Sequence, residues 1–125
     1  MKRDYFSIHA HSEYSNLKVI DSTNRFSRMM DYAWDIGLSG IAMTDHDCIS
    51  GAIKYIKTYK KKVEKEWRKL HPEEELPSFQ QIADELDFKP ILGNEIYLSE
   101  EGLCEENMYS GHFWHLILLA KDAEG

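Results

Sequence analysis

Long hydrophobic runs are missing from this chain of 125 residues, and no apolar stretch approaches the roughly 20 residues needed to span a bilayer. The opening residues, Met1-Lys2-Arg3-Asp4-Tyr5, lack the apolar core of a signal peptide and pass directly into a strand-like segment. A cytoplasmic location with no membrane partner is therefore expected. Cysteine is scarce: Cys48 and Cys104 suit a reducing compartment, and a disulfide between them stays open without being demanded. Positive charge is also in deficit. The formal net charge of −7 argues against a free-standing nucleic-acid-binding module, which is normally basic. On composition alone that acidity reads as a solvated surface, with carboxylates that hold cations as the alternative. The chain has no P-loop, no dinucleotide-binding glycine pattern and no G-x-S-x-G nucleophile elbow. Its length allows one domain or part of one.

What is present is histidine, in clusters. Five of the six histidines lie in His9-Ala10-His11, Thr44-Asp45-His46 and His112-Phe113-Trp114-His115, each where a short apolar run meets a turn. Gly93-Asn94-Glu95 places a carboxylate in another apolar run. Neutral imidazole is the commonest protein metal ligand, and carboxylates supply the charge that a divalent ion needs.

The alternation of Tyr5 to His9 predicts a short strand, followed by a polar loop to about Asp21. Ser22, Thr23 and Asn24 offer N-caps for a helix to Ile36, with Phe26, Met29, Met30, Ala33 and Trp34 on its buried side and Gly37 stopping it. Gly40-Ile41-Ala42-Met43 reads as a buried strand. From Ile49 to Leu70 the spacing predicts a long amphipathic helix, with Ile53, Ile56, Tyr59, Val63, Trp67 and Leu70 inward. Its basic run, Lys54 to Lys69, reads as a solvated face tempered by Glu64 and Glu66; contact with a phosphate backbone is the alternative. His71-Pro72 breaks this helix, and His71 reads as a surface histidine. Gln80 to Leu86 suits a short helix, Pro90 to Leu98 a third strand, and Trp114 to Ala120 a fourth. This order implies an α/β fold with parallel strands and helices outside. The ending at Lys121-Asp122-Ala123-Glu124-Gly125, where another helix is due, reads as a cut.

Side chains two apart on a strand share a face, so His9 and His11 can meet one ion. Asp45 and His46 are adjacent and diverge in extended chain. One of the pair is expected to be a direct ligand, His46 first and Asp45 second, with the other orienting it or capping the next helix. Functional residues of parallel α/β folds gather at the C-terminal ends of strands, where His9, His11, His46 and Glu95 fall. His115 stands near the start of its strand. Mixed imidazole and carboxylate donors suit zinc, manganese or iron. A multinuclear centre of this type can generate hydroxide from water and clamp the oxygens of a phosphoester, which makes phosphoester hydrolysis the expected reaction class. Each motif alone has a bland reading: strand histidines are often just hydrogen-bonded, and T-D-H often caps a helix. Glu95 can pair with a lysine, His112 has no special spacing, and Cys48 suits packing in its turn. Their conjunction in this order points to a site.

The segments Phe6-Ser7-Ile8-His9-Ala10-His11-Ser12-Glu13-Tyr14-Ser15, Gly40 to His46, Ile91 to Tyr97 and His115 to Lys121 resemble the polymerase and histidinol phosphatase (PHP) family. The likeness is greatest to the branch at the N-terminus of bacterial DNA polymerase III alpha subunits. The resemblance implies a partial, distorted (β/α)7 barrel, covering about the first half of one PHP domain over residues 1–125, with an enlarged connection near 61–87 and no polymerase domains. It also implies up to three divalent metal ions, held here by His9, His11, His46, Glu95 and His115. An aspartate is expected seven residues after the second histidine of H-x-H, where Lys18 stands; Asp21, three residues on, is the candidate replacement. Remaining ligands of the family would lie beyond residue 125, so weak metal binding and little hydrolysis are expected of this segment alone.

Two functions of different class follow from the resemblance. In one, the parent polymerase hydrolyses a DNA 3′ end or pyrophosphate at this centre, with Asp45 in support. In the other, the domain is a structural module that braces the polymerase or docks a proofreading or replisome subunit. A stand-alone phosphoesterase of the same superfamily is the third reading.

Overall fold

The computed structural model describes residues 4–17, 22–99 and 113–122. The elements are β1 (Phe6–Ser7), a 3-10 turn (Glu13–Leu17), α1 (Phe26–Asp35), β2 (Gly40–Met43), α2 (Ala52–Leu70), α3 (Phe79–Leu86), β3 (Lys89–Ser99) and β4 (Phe113–Leu119). They form a curled four-stranded sheet in the order β1-β2-β3-β4, a partial barrel with helices packed against it. Lys18, Asp21, Cys104 and His112 lie outside the described residues. Among the described residues no helix is long and apolar enough to cross a membrane.

α1 ends as its sequence predicts. Gly37 adopts φ 77°, its N–H bonds Trp34 O at 2.9 Å, and Leu38 N–H bonds Ala33 O at 2.9 Å. This is a Schellman closure, whose left-handed residue suits glycine. The start differs from expectation. Arg25 is the N-cap and makes no side-chain cap bond, because Ser22 and Asn24 donate instead to the His11 carbonyl at 2.9 and 3.2 Å. Those polar groups fix the loop that carries a histidine.

The core joins Phe26, Met29, Met30 and Ala33 of α1 to Ile41 and Met43 of β2, with Tyr55, Tyr59, Val63 and Trp67 of α2 and Ile82 of α3. Full burial of each large apolar side chain stabilises the fold by about 1.5–3 kcal/mol. Tyr59, Val63 and Trp67 of the stripe expected for α2 are buried and Ile56 packs against them, while the stripe's two ends depart from expectation. Tyr55 is inward, with its hydroxyl donating to Ile41 O, while Ile53 and Leu70 are exposed. Lys62 and Glu66, expected on the solvated face, are buried. Lys62 Nζ meets Asp31 at 2.7 Å and Glu66 at 3.0 Å, and Lys69 meets Glu66 at 2.7 Å, so each buried charge is partnered.

β1, β2 and β3 are parallel, in registers Phe6↔Gly40 and Gly40↔Lys89. β4 departs from the expected parallel pattern and runs antiparallel to β3, with Tyr97 opposite His115 and Glu95 opposite Ile117. A parallel return needs a crossover, usually helical, and the polar sequence from 100 to 112 lacks the apolar spacing of one. Where β3 passes from β2 to β4, Gly93 admits close approach. A Cβ there would stand 2.6 Å from Leu118 O and 2.9 Å from Thr44 Cγ2. Gly93→Ala is expected to cost about 1–3 kcal/mol through overpacking, read by chemical denaturation. Stability within experimental error of wild type would contradict this.

His71 is more than a surface histidine. Its ring stacks on Trp67 at 4.4 Å, Nδ1 meets Glu74 at 2.9 Å and Nε2 meets Glu85 at 2.7 Å. Hydrogen bonds to Glu74 and then Glu85 raise its pKa above 6.5. A raised folded value means the contribution is complete below 6.5 and disappears as pH climbs through the folded pKa. The melting temperature is therefore expected to fall over that alkaline step, and His71→Gln to remove the step in calorimetry. An unchanged step in the variant would refute this.

Candidate metal centre

Four histidines gather around one carboxylate. Glu95 lies in β3 and is 3% exposed, a position reached because β2 and β3 continue past their regular pairing through a parallel bridge, His46↔Glu95. Glu95 N–H donates to Asp45 O at 3.2 Å and Asp47 N–H to Glu95 O at 2.7 Å. From this post Glu95 Oε2 faces Nε2 of His11 at 2.6 Å, of His9 at 3.3 Å and of His46 at 3.6 Å. Its other oxygen, Oε1, faces His115 Nδ1 at 2.8 Å. His9 and His11 approach each other Nε2 to Nε2 at 3.0 Å.

The sequence-predicted residues thus fall into two sets that share Glu95. His9, His11 and Glu95 form one; His46, Glu95 and His115 form the other, with ligand atoms within 4.8 Å of one another in each. His115 reaches the cluster although it opens its strand, because the antiparallel return sets it opposite Tyr97, two residues from Glu95 on the same face. Of the predicted set only Asp21 cannot be placed, lying outside the described residues.

Asp45 has a different position. Its carboxylate is fully buried and accepts from Ser12 N–H at 2.5 Å, Ser12 Oγ at 2.8 Å and Ser15 Oγ at 3.1 Å. Ser15 Oγ also accepts from His46 N–H at 3.1 Å. Asp45 therefore ties the loop bearing His11 to the strand end bearing His46, and holds both rings in place. Thr44 extends the tie, exchanging backbone and side-chain bonds with Ala10 at 2.9 to 3.2 Å.

Tyr97, Ser12 and Ser15 join the site beyond the residues predicted from the sequence. Tyr97 stacks on the His46 ring at 5.7 Å and lies 4.9 Å from the His115 ring, edge to face. The alternation that puts Tyr97 on the face of Glu95 was the available signal. Ser12 and Ser15 stand in the segment that carries the family resemblance, but their partner Asp45 lies thirty or more residues away.

The donor chemistry fits a divalent cation. A neutral imidazole carries one N–H and one lone pair, and a carboxylate oxygen has two lone pairs. Three N–H groups on Oε2 would overfill it, and two facing N–H groups at 3.0 Å would repel. At least one nitrogen must present a lone pair to the shared space, beside an anion. Burial works against the Glu95 carboxylate, but His46 beside it and hydrogen bonds from His9 and His11 outweigh this and hold its pKa below the usual carboxylate range. Imidazole nitrogens and a retained negative charge thus face one another in each of the two sets, a donor arrangement that could hold a metal ion.

A mixed sheet that brings imidazoles from three segments to a carboxylate of β3 defines an α/β domain with a candidate two-ion centre. The family profile described as PHP domain matches residues 7–125, and the chain belongs to that family. It is similar to Probable DNA polymerase YorL of Bacillus subtilis (strain 168), 32% identical over 120 residues, covering 94% of this chain and 8% of that protein. DNA polymerase III subunit alpha of Borreliella burgdorferi is 29% identical over 123 residues, covering 97% of this chain and 8% of the relative. An error-prone DNA polymerase of Mycobacterium tuberculosis is 29% identical over 121 residues, with the same two shares. The chain spans about 8% of the length of these curated relatives.

Proposed function

We propose that this chain is an N-terminal part of the PHP domain of a DNA polymerase III alpha-type replicative polymerase, and that its centre hydrolyses phosphoesters at a DNA 3′ end or in pyrophosphate. The single observation carrying this is the shared carboxylate: both oxygens of buried Glu95 face imidazoles from three other segments. His9 and His11 with Glu95 would hold one ion, His46 and His115 with Glu95 a second. Asp21 is the candidate contributor to a third. Zinc, manganese and iron suit these donors. Such ions supply positive charge to a phosphoester and make water more acidic. The chain's own residues do the rest. Asp45 fixes the two histidine-bearing segments, and Tyr97 walls the cluster beside His46. The half-exposed rings of His9 and His115 leave it open to a substrate from solvent. Three protein ligands per ion with open positions is the pattern of catalytic rather than structural sites.

The polymerase relatives supply the DNA context of this reading. A second reading, a module that docks a proofreading or replisome subunit, is favoured by one feature. Trp114, Leu116 and Leu118 of β4 and Leu98 of β3 stand about half exposed, an apolar surface available to more protein.

The test uses the full-length protein, stripped with chelator, reloaded with manganese or zinc, and given a 3′-labelled oligonucleotide or pyrophosphate. Metal-restored hydrolysis that Glu95→Gln abolishes is expected. No hydrolysis of either substrate under any of these metals would favour the docking reading.

A further inference from the structure

The cations of this acidic chain are gathered on one helix. Eight of its 15 Lys+Arg residues fall in α2, against two of its 22 Asp+Glu. At about 100° per residue, Lys54, Lys57, Lys61, Lys65 and Arg68 lie within an arc of about 80° and extend about 21 Å along the helix axis. All five are exposed. Lys62 and Lys69 are engaged with Glu66, and Lys54 meets Glu13 at 3.2 Å. No ion pair among the described residues involves Lys57, Lys61, Lys65 or Arg68. Arg25 of the α1 entry borders the same groove, which Glu13, Phe26, Lys54, Thr58 and Lys61 also line.

We propose that this stripe is a rail for the phosphate backbone of single-stranded DNA, leading the strand to the metal centre. The inference deepens the proposed function and rests on it for the destination of the strand. A net charge of −7 makes the stripe a local exception, which directs a polyanion to one path. Its composition selects the partner. Like charges recurring along a straight face suit a polymer that carries one negative charge on every nucleotide. A protein partner would instead call for aromatic or aliphatic anchors at the centre of the face. The apolar exposed residues of α2, Ile53 and Leu70, sit at its two ends. Direction comes from the fold: α2 starts six residues after His46, and its Lys54 bonds Glu13, two residues after His11.

The experiment measures binding of a fluorescent single-stranded oligonucleotide to the full chain in EDTA, so that hydrolysis plays no part. With four phosphate contacts, from Lys57, Lys61, Lys65 and Arg68, log affinity should fall with log salt at a slope of about −2.8. The triple variant Lys57→Gln/Lys61→Gln/Lys65→Gln should bind at least about tenfold more weakly, with a slope shallower by about 2. Its substitutions are exposed, and circular dichroism checks the fold. Wild-type affinity in the triple variant would overturn the rail. So would binding of polyglutamate in preference to the oligonucleotide, which would identify an acidic protein partner. Stripe-dependent binding without hydrolysis by the full-length protein would support the rail and overturn the catalytic reading.

Discussion

Replacing Glu95 by alanine is expected to abolish divalent-ion binding at both halves of the centre, whereas His9→Ala and His115→Ala each impair only one. The difference follows from geometry. Oε2 faces His9, His11 and His46, and Oε1 faces His115, so one carboxylate is common to both ligand sets. It is also the anion of each set, and a divalent ion held by neutral imidazoles alone lacks charge compensation. Loss of groups that merely support a ligand costs about 10–100-fold in metal affinity, so loss of a shared ligand should exceed about 100-fold. Isothermal titration with manganese reads both stoichiometry and affinity. Retention of one intact ion by Glu95→Ala would show that the two sets do not share this residue. Affinity should also fall as the solution is made acid, because imidazole ligands must be deprotonated to bind.

The second large effect is expected at a residue that touches no ion. Asp45→Ala removes the acceptor of three hydrogen bonds from Ser12 and Ser15, all in the buried interior. Buried donors without an acceptor cost about 1–3 kcal/mol each, so a loss of about 3–5 kcal/mol is expected once partial relaxation is allowed. Domains of this size have only about 5–15 kcal/mol to lose. Metal affinity should decline with it, since the His11 loop and the His46 strand end are held together through this carboxylate. Asp45→Asn keeps the shape and one acceptor oxygen, and should fall between. Denaturant titration compares the three proteins. If Asp45→Ala kept full stability but lost metal, Asp45 would belong with the ligands.

His9, His11 and His46 were legible as polar residues just past short apolar runs, and Glu95 as a carboxylate inside one, because such runs are local features. Gly37 was legible for the same reason, its left-handed φ being a local requirement. What depends on distant partners was not. The inward face of α2 includes Lys62 and Glu66 because Asp31 and Lys69 compensate their charges, and apolar spacing alone favoured Ile53 and Leu70. Ser22 and Asn24 look like helix caps, yet the His11 carbonyl takes their hydrogen bonds. Asp45 was open between orienting its neighbour and capping a helix. Its three bonds go to Ser12 and Ser15, partners thirty or more residues away that local spacing does not reveal. The antiparallel course of β4, which delivers His115 to Glu95, likewise follows from pairing and not from the residues of β4 alone.

Diffraction from crystals soaked in manganese, with anomalous scattering recorded at its absorption edge, locates ions without assuming ligands. Two peaks are expected, one on each side of the Glu95 carboxylate, the first near His9 and His11 and the second near His46 and His115. Manganese bound elsewhere, or a Glu95 side chain turned away from every peak, would contradict the shared-carboxylate centre.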